Sequence, residues 1–402
     1  MVDMKLTNEQ LELKNLVQEF CEKELRPIAA ECDRRSQINP AGCFPLDALK
    51  AASKLGLRTL GLSRELGGKD LDTLTHCIIL EEMMAVEPGF AATFHQVWRL
   101  AQHIDREGTE EQKKKYLLPF IDDDTCLISI GQTEPDSGTD NTFPYRGVEG
   151  GIKLSAVKEG NEWVLNGTKH FVACASLAKI FIVVARTDPR APGPEGATQF
   201  LMWRDTPGFR VGRTHDKLGG ALLMNAELIL ENVRIPESDI LIGINEGFSD
   251  KARHHGRGAP MVATFGLGIA RGAYEAALSY SQKGVRNGKL LIQNDAVAMR
   301  LADMLTLIEA TRSAIWRAAW GSDNRKYYVQ RDSAVASYFS TVCAKSVCKN
   351  AMQIFGKDAY TRNFPAEKFM RDALMTNHIN NTVDVRLLKI GKSLAGQLVS
   401  TL

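Results

Sequence analysis

Trp163-Val164-Leu165-Asn166-Gly167-Thr168-Lys169-His170-Phe171-Val172 places two apolar runs around an Asn-Gly pair. Asn-Gly readily takes the two left-handed conformations of a primed turn, so the stretch predicts a β-hairpin turning at Asn166-Gly167. Working outward, Cys126-Leu127-Ile128-Ser129-Ile130, Ile180 to Ala185, Gln199 to Trp203 and Glu227 to Ile235 read as further strands, rich in Val, Ile and Phe. Pro236 ends the last run because it cannot donate to a ladder. Residues 126–236 thus predict an all-β region.

Helical patterns flank it on both sides. Thr7-Asn8-Glu9-Gln10 is a capping box, in which two side chains satisfy two orphan backbone N–H groups. Leu13, Leu16, Val17 and Phe20 follow at helical period. Residues 46–55, 72–86, 90–105 and 109–121 predict further helices, punctuated at Gly67-Gly68 and Pro88-Gly89. The helical period returns after Gly247. Residues 261–281 carry small residues suited to close packing, and 295–321 and 331–355 are long amphipathic patterns. Similar lengths predict an antiparallel bundle. The plan is α+β: a helical domain over 1–125, a β-domain over 126–240 and a helical bundle over 241–402. A crevice between such domains suits a flat cofactor.

A chain of 402 residues predicts two or three domains. With 44% hydrophobic and 24% charged residues, its composition is globular. A net charge of +2 argues against a nucleic acid or an anionic membrane as partner. Lys113-Lys114-Lys115 and Arg34-Arg35 read as solvated helix faces. Met1-Val2-Asp3-Met4 lacks the features of a signal segment, and no uncharged run reaches the ~18 apolar residues of a membrane span. The eight cysteines form no CxxC pair and the eight histidines show no ligand spacing. These features predict a reduced, cytoplasmic, metal-free protein.

Four segments occur in one order: Gln132-Thr133-Glu134-Pro135-Asp136-Ser137-Gly138-Thr139-Asp140, Leu165-Asn166-Gly167-Thr168-Lys169, Ala351-Met352-Gln353-Ile354-Phe355-Gly356 with Tyr360, and Glu367-Lys368-Phe369-Met370-Arg371-Asp372-Ala373. Together they resemble the acyl-CoA dehydrogenase family over essentially the whole chain. The resemblance implies that family's fold: an N-terminal α-helical domain, a central β-barrel or sandwich and a C-terminal four-helix bundle. It also implies FAD, an acyl-CoA thioester as substrate, and an electron-transfer flavoprotein or other electron carrier as partner. Gln132, Thr133, Gly138 and Thr139 would offer hydroxyl and backbone donors to the flavin and pyrophosphate, a nest suited to an anion. Gln353 and Gly356 match positions that meet the adenosine of a neighbouring subunit's FAD, which implies a homotetramer. Thr382 and Asp384 match positions near the diphosphate and ribose.

The chain also departs from that pattern. Asn380 stands where the family carries its catalytic glutamate, and an amide cannot act as a general base near pH 7. Gly258 occupies the alternative base position, while Gly256 and Ala259 replace an Asp and an Arg nearby. Two glycines in Arg253-His254-His255-Gly256-Arg257-Gly258 predict a loop or a late helix start. Arg253, His254 and Arg257 can meet CoA phosphates there, or form a solvated basic turn. Phe171 can stack on the flavin edge, whereas Ala173 replaces a hydroxyl-bearing residue. Gly284 and Asn287 replace an Arg and a Phe, and Arg286 can supply the missing charge. Lys357 replaces a glycine.

His95 matches a position where relatives line the acyl pocket, and a histidine can exchange a proton near neutral pH. A hydrogen-bonded core histidine is the plainer reading. His378 and Cys174 are further candidates, and Glu81 and Glu82 suit the surface or an interface of the helical domain. Three functions follow. The first is an FAD-dependent acyl-CoA oxidoreductase, a dehydrogenase or an enoyl-CoA reductase, with a non-standard proton donor or acceptor. The second is a non-catalytic subunit of a heteromer with a related chain. The third is a flavin oxidase or monooxygenase of the same fold acting on a non-CoA substrate.

Overall fold

The computed structural model describes residues 5–139, 150–249, 258–324, 330–379 and 381–395. The N-terminal part is helical: α1 (Asn8–Phe20), α2 (Arg26–Ser36), α3 (Leu46–Lys54), α4 (Thr73–Met84), α5 (Pro88–Glu107), α6 (Glu110–Gln112) and α7 (Leu118–Asp122). Capping decides several of these starts. The Thr7 hydroxyl accepts from Gln10 N at 3.2 Å while the Gln10 side chain accepts from Thr7 N, and Thr109 and Gln112 repeat the arrangement at α6. Asp72 accepts from Thr75 N at the head of α4, and Glu87 accepts from Gly89 N at the head of α5.

Strands β1 (Ile128–Gly131), β2 (Ser155–Glu159), β3 (Glu162–Val172), β4 (Ile180–Arg186), β5 (Ala197–Trp203), β6 (Phe209–Thr214), β7 (Ala226–Pro236) and β8 (Ile240–Leu241) form one sheet. Its order is β6-β7-β3-β2-β4-β5-β8, with β1 parallel to β4. The predicted hairpin at Asn166-Gly167 is not there. β3 runs straight through both residues, paired with β2 on one side and β7 on the other. Gly167 instead marks a register shift against β7, at φ 140°, with Leu154 packed on it. The turn falls at Gly160-Asn161, where Glu159 pairs with Glu162.

The C-terminal part holds three long helices, α8 (Gly258–Lys283), α9 (Asp295–Asp323) and α10 (Gln330–Phe355), then α11 (Ala366–Met375) and α12 (Val383–Leu394). A small hairpin, β9 (Val285–Arg286) and β10 (Lys289–Leu290), links α8 to α9. α8 packs on α10 and on α4. Its glycines make this possible: a Cβ on Gly268 would lie 2.2 Å from Met84 Cβ, and one on Gly266 would lie 2.4 Å from Ser340 Oγ.

One apolar core joins the N-terminal helices to the sheet, including Phe90, Trp98, Phe181 and Phe200. A second fills the bundle around Met304, Ile315, Val347 and Phe369. α4 lies between them and buries nearly every residue. Glu81 and Glu82 are on this helix, so they are not surface residues. Glu81 pairs with Arg312 at 2.7 Å and Glu82 with Arg271 at 2.7 Å, which ties the helical domain to the bundle. Among the described residues, no helix is long and apolar enough to cross a membrane.

Candidate active site

The loop after β1 is fixed from its centre. The Glu134 carboxylate accepts from Lys153 N at 2.8 Å and Leu154 N at 2.9 Å, and pairs with Lys169 Nζ at 2.6 Å. Lys169 is fully buried, and burial lowers its pKa to about 8 against the pull of Glu134. Gly131 lets the two strands meet, since a Cβ there would lie 3.1 Å from Lys169 Cγ. Lys169 Nζ also donates to Gln132 O, and His170 N donates to Thr133 O at 2.7 Å. Gln132 and Thr133 are thereby held along β3 with partly open side chains, and Gly138 is exposed just past the turn that the Glu134–Ser137 bridge closes.

Phe171 follows on that strand. Its backbone is left-handed, at φ 50°, a conformation that costs a non-glycine residue about 1 kcal/mol or more. Asn225 helps hold it there by donating Nδ2–H to Phe171 O at 2.7 Å. Lys217 in turn donates to Asn225 Oδ1 and to Gly220 O, each at 2.7 Å. The Phe171 ring stacks on His215 at 4.1 Å and yet is 51% exposed. An open aromatic face beside an exposed loop rich in donors fits a flat, anion-bearing cofactor. Ala173 presents only backbone here, and its carbonyl accepts from Ser129 Oγ at 2.5 Å. Cys174 is buried, and burial raises its thiol pKa to about 12, which makes it a poor nucleophile.

The bundle positions form a separate group. Gln353 is exposed on α10 and accepts from Arg300 Nη1. Gly356 ends that helix at φ 62°, and the exposed Lys357 pairs with Asp358 at 2.8 Å. Tyr280 donates to Asp358 at 2.7 Å, and Arg286, exposed on β9, acts electrostatically on the same pair. The fold thus brings Arg286 towards the Gly356 turn. Thr382 precedes α12 without a side-chain capping bond, and Asp384 is exposed in its first turn.

His95 lies on α5, 5% exposed, with its ring edge-on to Phe265 at 5.2 Å and His76 at 5.4 Å. Its Nδ1 has no hydrogen-bond partner. Burial holds the imidazole well below its ordinary pKa, so it is neutral at pH 7. His378 is exposed after α11. Asn380, Arg253, His254 and Arg257 lie outside the described residues.

Two features were not visible in the sequence. Lys217 is half-buried with amide and carbonyl partners, and desolvation lowers its pKa to about 8. His170, His215 and Glu227 bring three potential metal-ligand atoms within 4.8 Å of one another, although they are scattered in sequence. Only strand pairing unites them, so no ligand spacing could have shown the group.

Family models for the acyl-CoA dehydrogenase N-terminal, middle and C-terminal domains match residues 7–124, 129–233 and 245–395. A short-chain specific acyl-CoA dehydrogenase of Clostridium acetobutylicum is 32% identical over 391 residues, spanning 97% of this chain and 98% of that protein. The solved butyryl-CoA dehydrogenase of Megasphaera elsdenii is similar with a TM-score of 0.88 at 32% identity, covering 98% of this chain and 100% of that one. A chain solved in a study of the electron transferring flavoprotein of Acidaminococcus fermentans has a TM-score of 0.87 at 34% identity, covering 98% and 99%.

Proposed function

The chain belongs to the acyl-CoA dehydrogenase family, and from that membership we propose that it interconverts an acyl-CoA thioester and its enoyl counterpart with a proton donor or acceptor other than the usual glutamate. FAD is its cofactor. Bound FAD would supply hydride exchange with the β-carbon of the acyl group.

The protein's part is to hold, orient and exclude water. Gln132, Thr133, Gly138 and Thr139 meet the cofactor from the loop pinned by Glu134. Phe171 and the backbone at Ala173 would hold the flavin ring. Arg286, Gln353, Gly356, Thr382 and Asp384 serve a cofactor shared across a subunit contact in a homotetramer. Arg253, His254 and Arg257 meet the CoA phosphates. Similarity to the chain from the Acidaminococcus study supports an electron-transfer flavoprotein as the electron partner.

The observation that carries the altered proton chemistry is Asn380 at the position of the family's base. Its amide can orient a thioester by hydrogen bonding, but it cannot remove an α-proton. His95 supports an alternative route: it is neutral, and its Nδ1 is unpartnered. The test is the visible spectrum of the purified protein before and after saturated and unsaturated acyl-CoA thioesters. Bleaching by a saturated thioester supports dehydrogenation, and a response to unsaturated thioesters only with a reductant supports reduction. No flavin bands at all would overturn the enzyme reading in favour of a partner subunit. His95→Ala is expected to lower turnover at least tenfold, about 1.4 kcal/mol of barrier. An unchanged rate removes His95 from the mechanism. Asn380→Glu is expected to add ordinary dehydrogenase activity, and its failure to do so would count against an intact thioester site.

A further inference from the structure

We propose that Arg99, with His76, His95 and His103 around it, is a buried receptor for an anionic group at the far end of a short acyl chain. The proposal rests on the acyl-thioester reading above and names the class of acyl group.

The Arg99 guanidinium donates one hydrogen bond to a described residue, from Nη2 to Gln96 Oε1 at 3.1 Å. Nε is sealed from solvent with no partner, although the side chain as a whole keeps some accessible surface. No carboxylate among the described residues forms an ion pair with it. Asp105, two residues beyond the next turn of α5, is turned away to accept from Ser63 N at 2.7 Å. Burial alone lowers the pKa of Arg99 to about 10, with no acid opposing it.

Every comparable arginine is treated differently. Arg58 donates to Ser53 Oγ and to the carbonyls of Phe120, Ile121 and Cys126. Arg386 reaches Thr341 Oγ1 and the carbonyls of Thr376 and Ile379. Arg312 and Arg371 are paired with carboxylates, and Arg271, whose Nε likewise lacks a hydrogen-bond partner, has its charge neutralised by Glu81 and Glu82. An unpaired buried charge is costly, so a fold that satisfies its other arginines and leaves this one open is arranged for a ligand.

The surroundings specify the ligand's sign. His95, Arg99 and His103 are one turn apart on a single stripe of α5, and His76 of α4 packs edge-on to His95 at 5.4 Å. The unpartnered atoms are His95 Nδ1 and His76 Nε2. His103 Nε2 faces Gln199 Oε1 at 2.8 Å, and Gln199 in turn donates to Gly247 O. Neutral imidazoles and a guanidinium offer N–H donors, and the planar fork of Arg suits a carboxylate or sulfonate bidentately. Phe265 of α8 closes the apolar side of the cluster. One helical turn, about 5.4 Å, separates His95 from Arg99. An acyl group of about four or five carbons can place its α- and β-carbons near His95 and its terminal anion at Arg99.

The test compares glutaryl-CoA with pentanoyl-CoA, which match in length and differ in a terminal carboxylate against a methyl. Both are titrated calorimetrically into the FAD-loaded protein. The expected result is at least tenfold tighter binding of glutaryl-CoA, falling to parity or below in Arg99→Met and partly retained in Arg99→Lys. Equal or tighter binding of pentanoyl-CoA to the unaltered protein overturns the proposal, as does a preference that survives Arg99→Met. Arg99→Gln serves in the same role should Arg99→Met fail to fold. If neither thioester binds, the acyl-thioester reading fails, and free glutarate then decides the receptor itself. A glutarate-induced rise in melting temperature that Arg99→Met abolishes sustains the anion site, and no rise overturns it.

Discussion

Lys169 Nζ lies 2.6 Å from Glu134 Oε1, inside a site that water does not reach. The two residues come from motifs 35 positions apart, yet they form one unit. Glu134 also gathers the backbone N–H groups of Lys153 and Leu154, so one carboxylate sets the path of the cofactor loop relative to β2 and β3. In the sequence the first motif reads as cofactor contacts and the second as a hairpin. In the fold, these two members act from behind the loop and position it.

Breaking this pair is expected to leave a buried charge without its partner. Lys169→Met should destabilise the protein by about 3–5 kcal/mol. It should also reduce the FAD retained on purification, because the loop loses its anchor. Urea denaturation and the ratio of flavin to protein absorbance measure the two effects. A change under 0.5 kcal/mol would show that the pair does not hold the loop.

Two arginines, the buried Arg58 and the partly buried Arg99, are expected to respond in opposite directions. Arg58→Met leaves three backbone carbonyls without donors, and each unsatisfied group costs about 1–3 kcal/mol, so the melting temperature should fall. Arg99→Met removes a cation that has one hydrogen bond and no ion pair among the described residues, so in the absence of ligand the melting temperature should rise. Thermal melts of the two variants check this, and a fall for Arg99→Met would mean that the guanidinium is already satisfied.

The chain contains Asn-Gly at 166–167 and again at 287–288, and the contrast shows what a sequence reveals. At 287–288 both residues are left-handed, at φ 52° and 76°, and they turn a hairpin whose strands are two residues long. At 166–167 neighbouring strands on both sides hold the chain extended, and local turn preference gives way to tertiary pairing. Helices were legible because caps and periodicity are local, as Thr7 with Gln10 shows. The isolation of Arg99 was not legible: a solitary Arg on an amphipathic stripe looks like any other until its neighbours are known. His170, His215 and Glu227 meet only because β3, β7 and the residue that follows β6 are brought together.

All eight cysteines are free and buried. Burial raises the thiols of Cys21, Cys126 and Cys174 to about 12, which leaves almost no thiolate at pH 7.5. Ellman's reagent is therefore expected to label none of the eight within minutes under native conditions, and all eight in guanidinium. Rapid native labelling of even one thiol would contradict the packing around it.

The helical-domain histidines make a further prediction about acid. Burial lowers His76 from 6.5 to about 3, with Arg99 adding to the effect, and lowers His103 to about 4. A base whose folded pKa is depressed stabilises the fold fully above its unfolded pKa, and that stability is lost as pH falls towards the folded value. The window for His76 runs from pH 6.5 down to about 3. At pH 5 the unfolded state is mostly protonated at this site while the folded state is not, a difference of about 2 kcal/mol. His76→Phe removes the titrating group and keeps an aromatic ring against Trp98, which now meets the imidazole edge-on at 4.9 Å. Denaturation at pH 7.5 and pH 5 should show that the unaltered protein loses more stability than the variant, by about 2 kcal/mol. Equal losses in both would mean that His76 is protonated in the fold, and the cluster around Arg99 would then be more polar and more open than its burial implies.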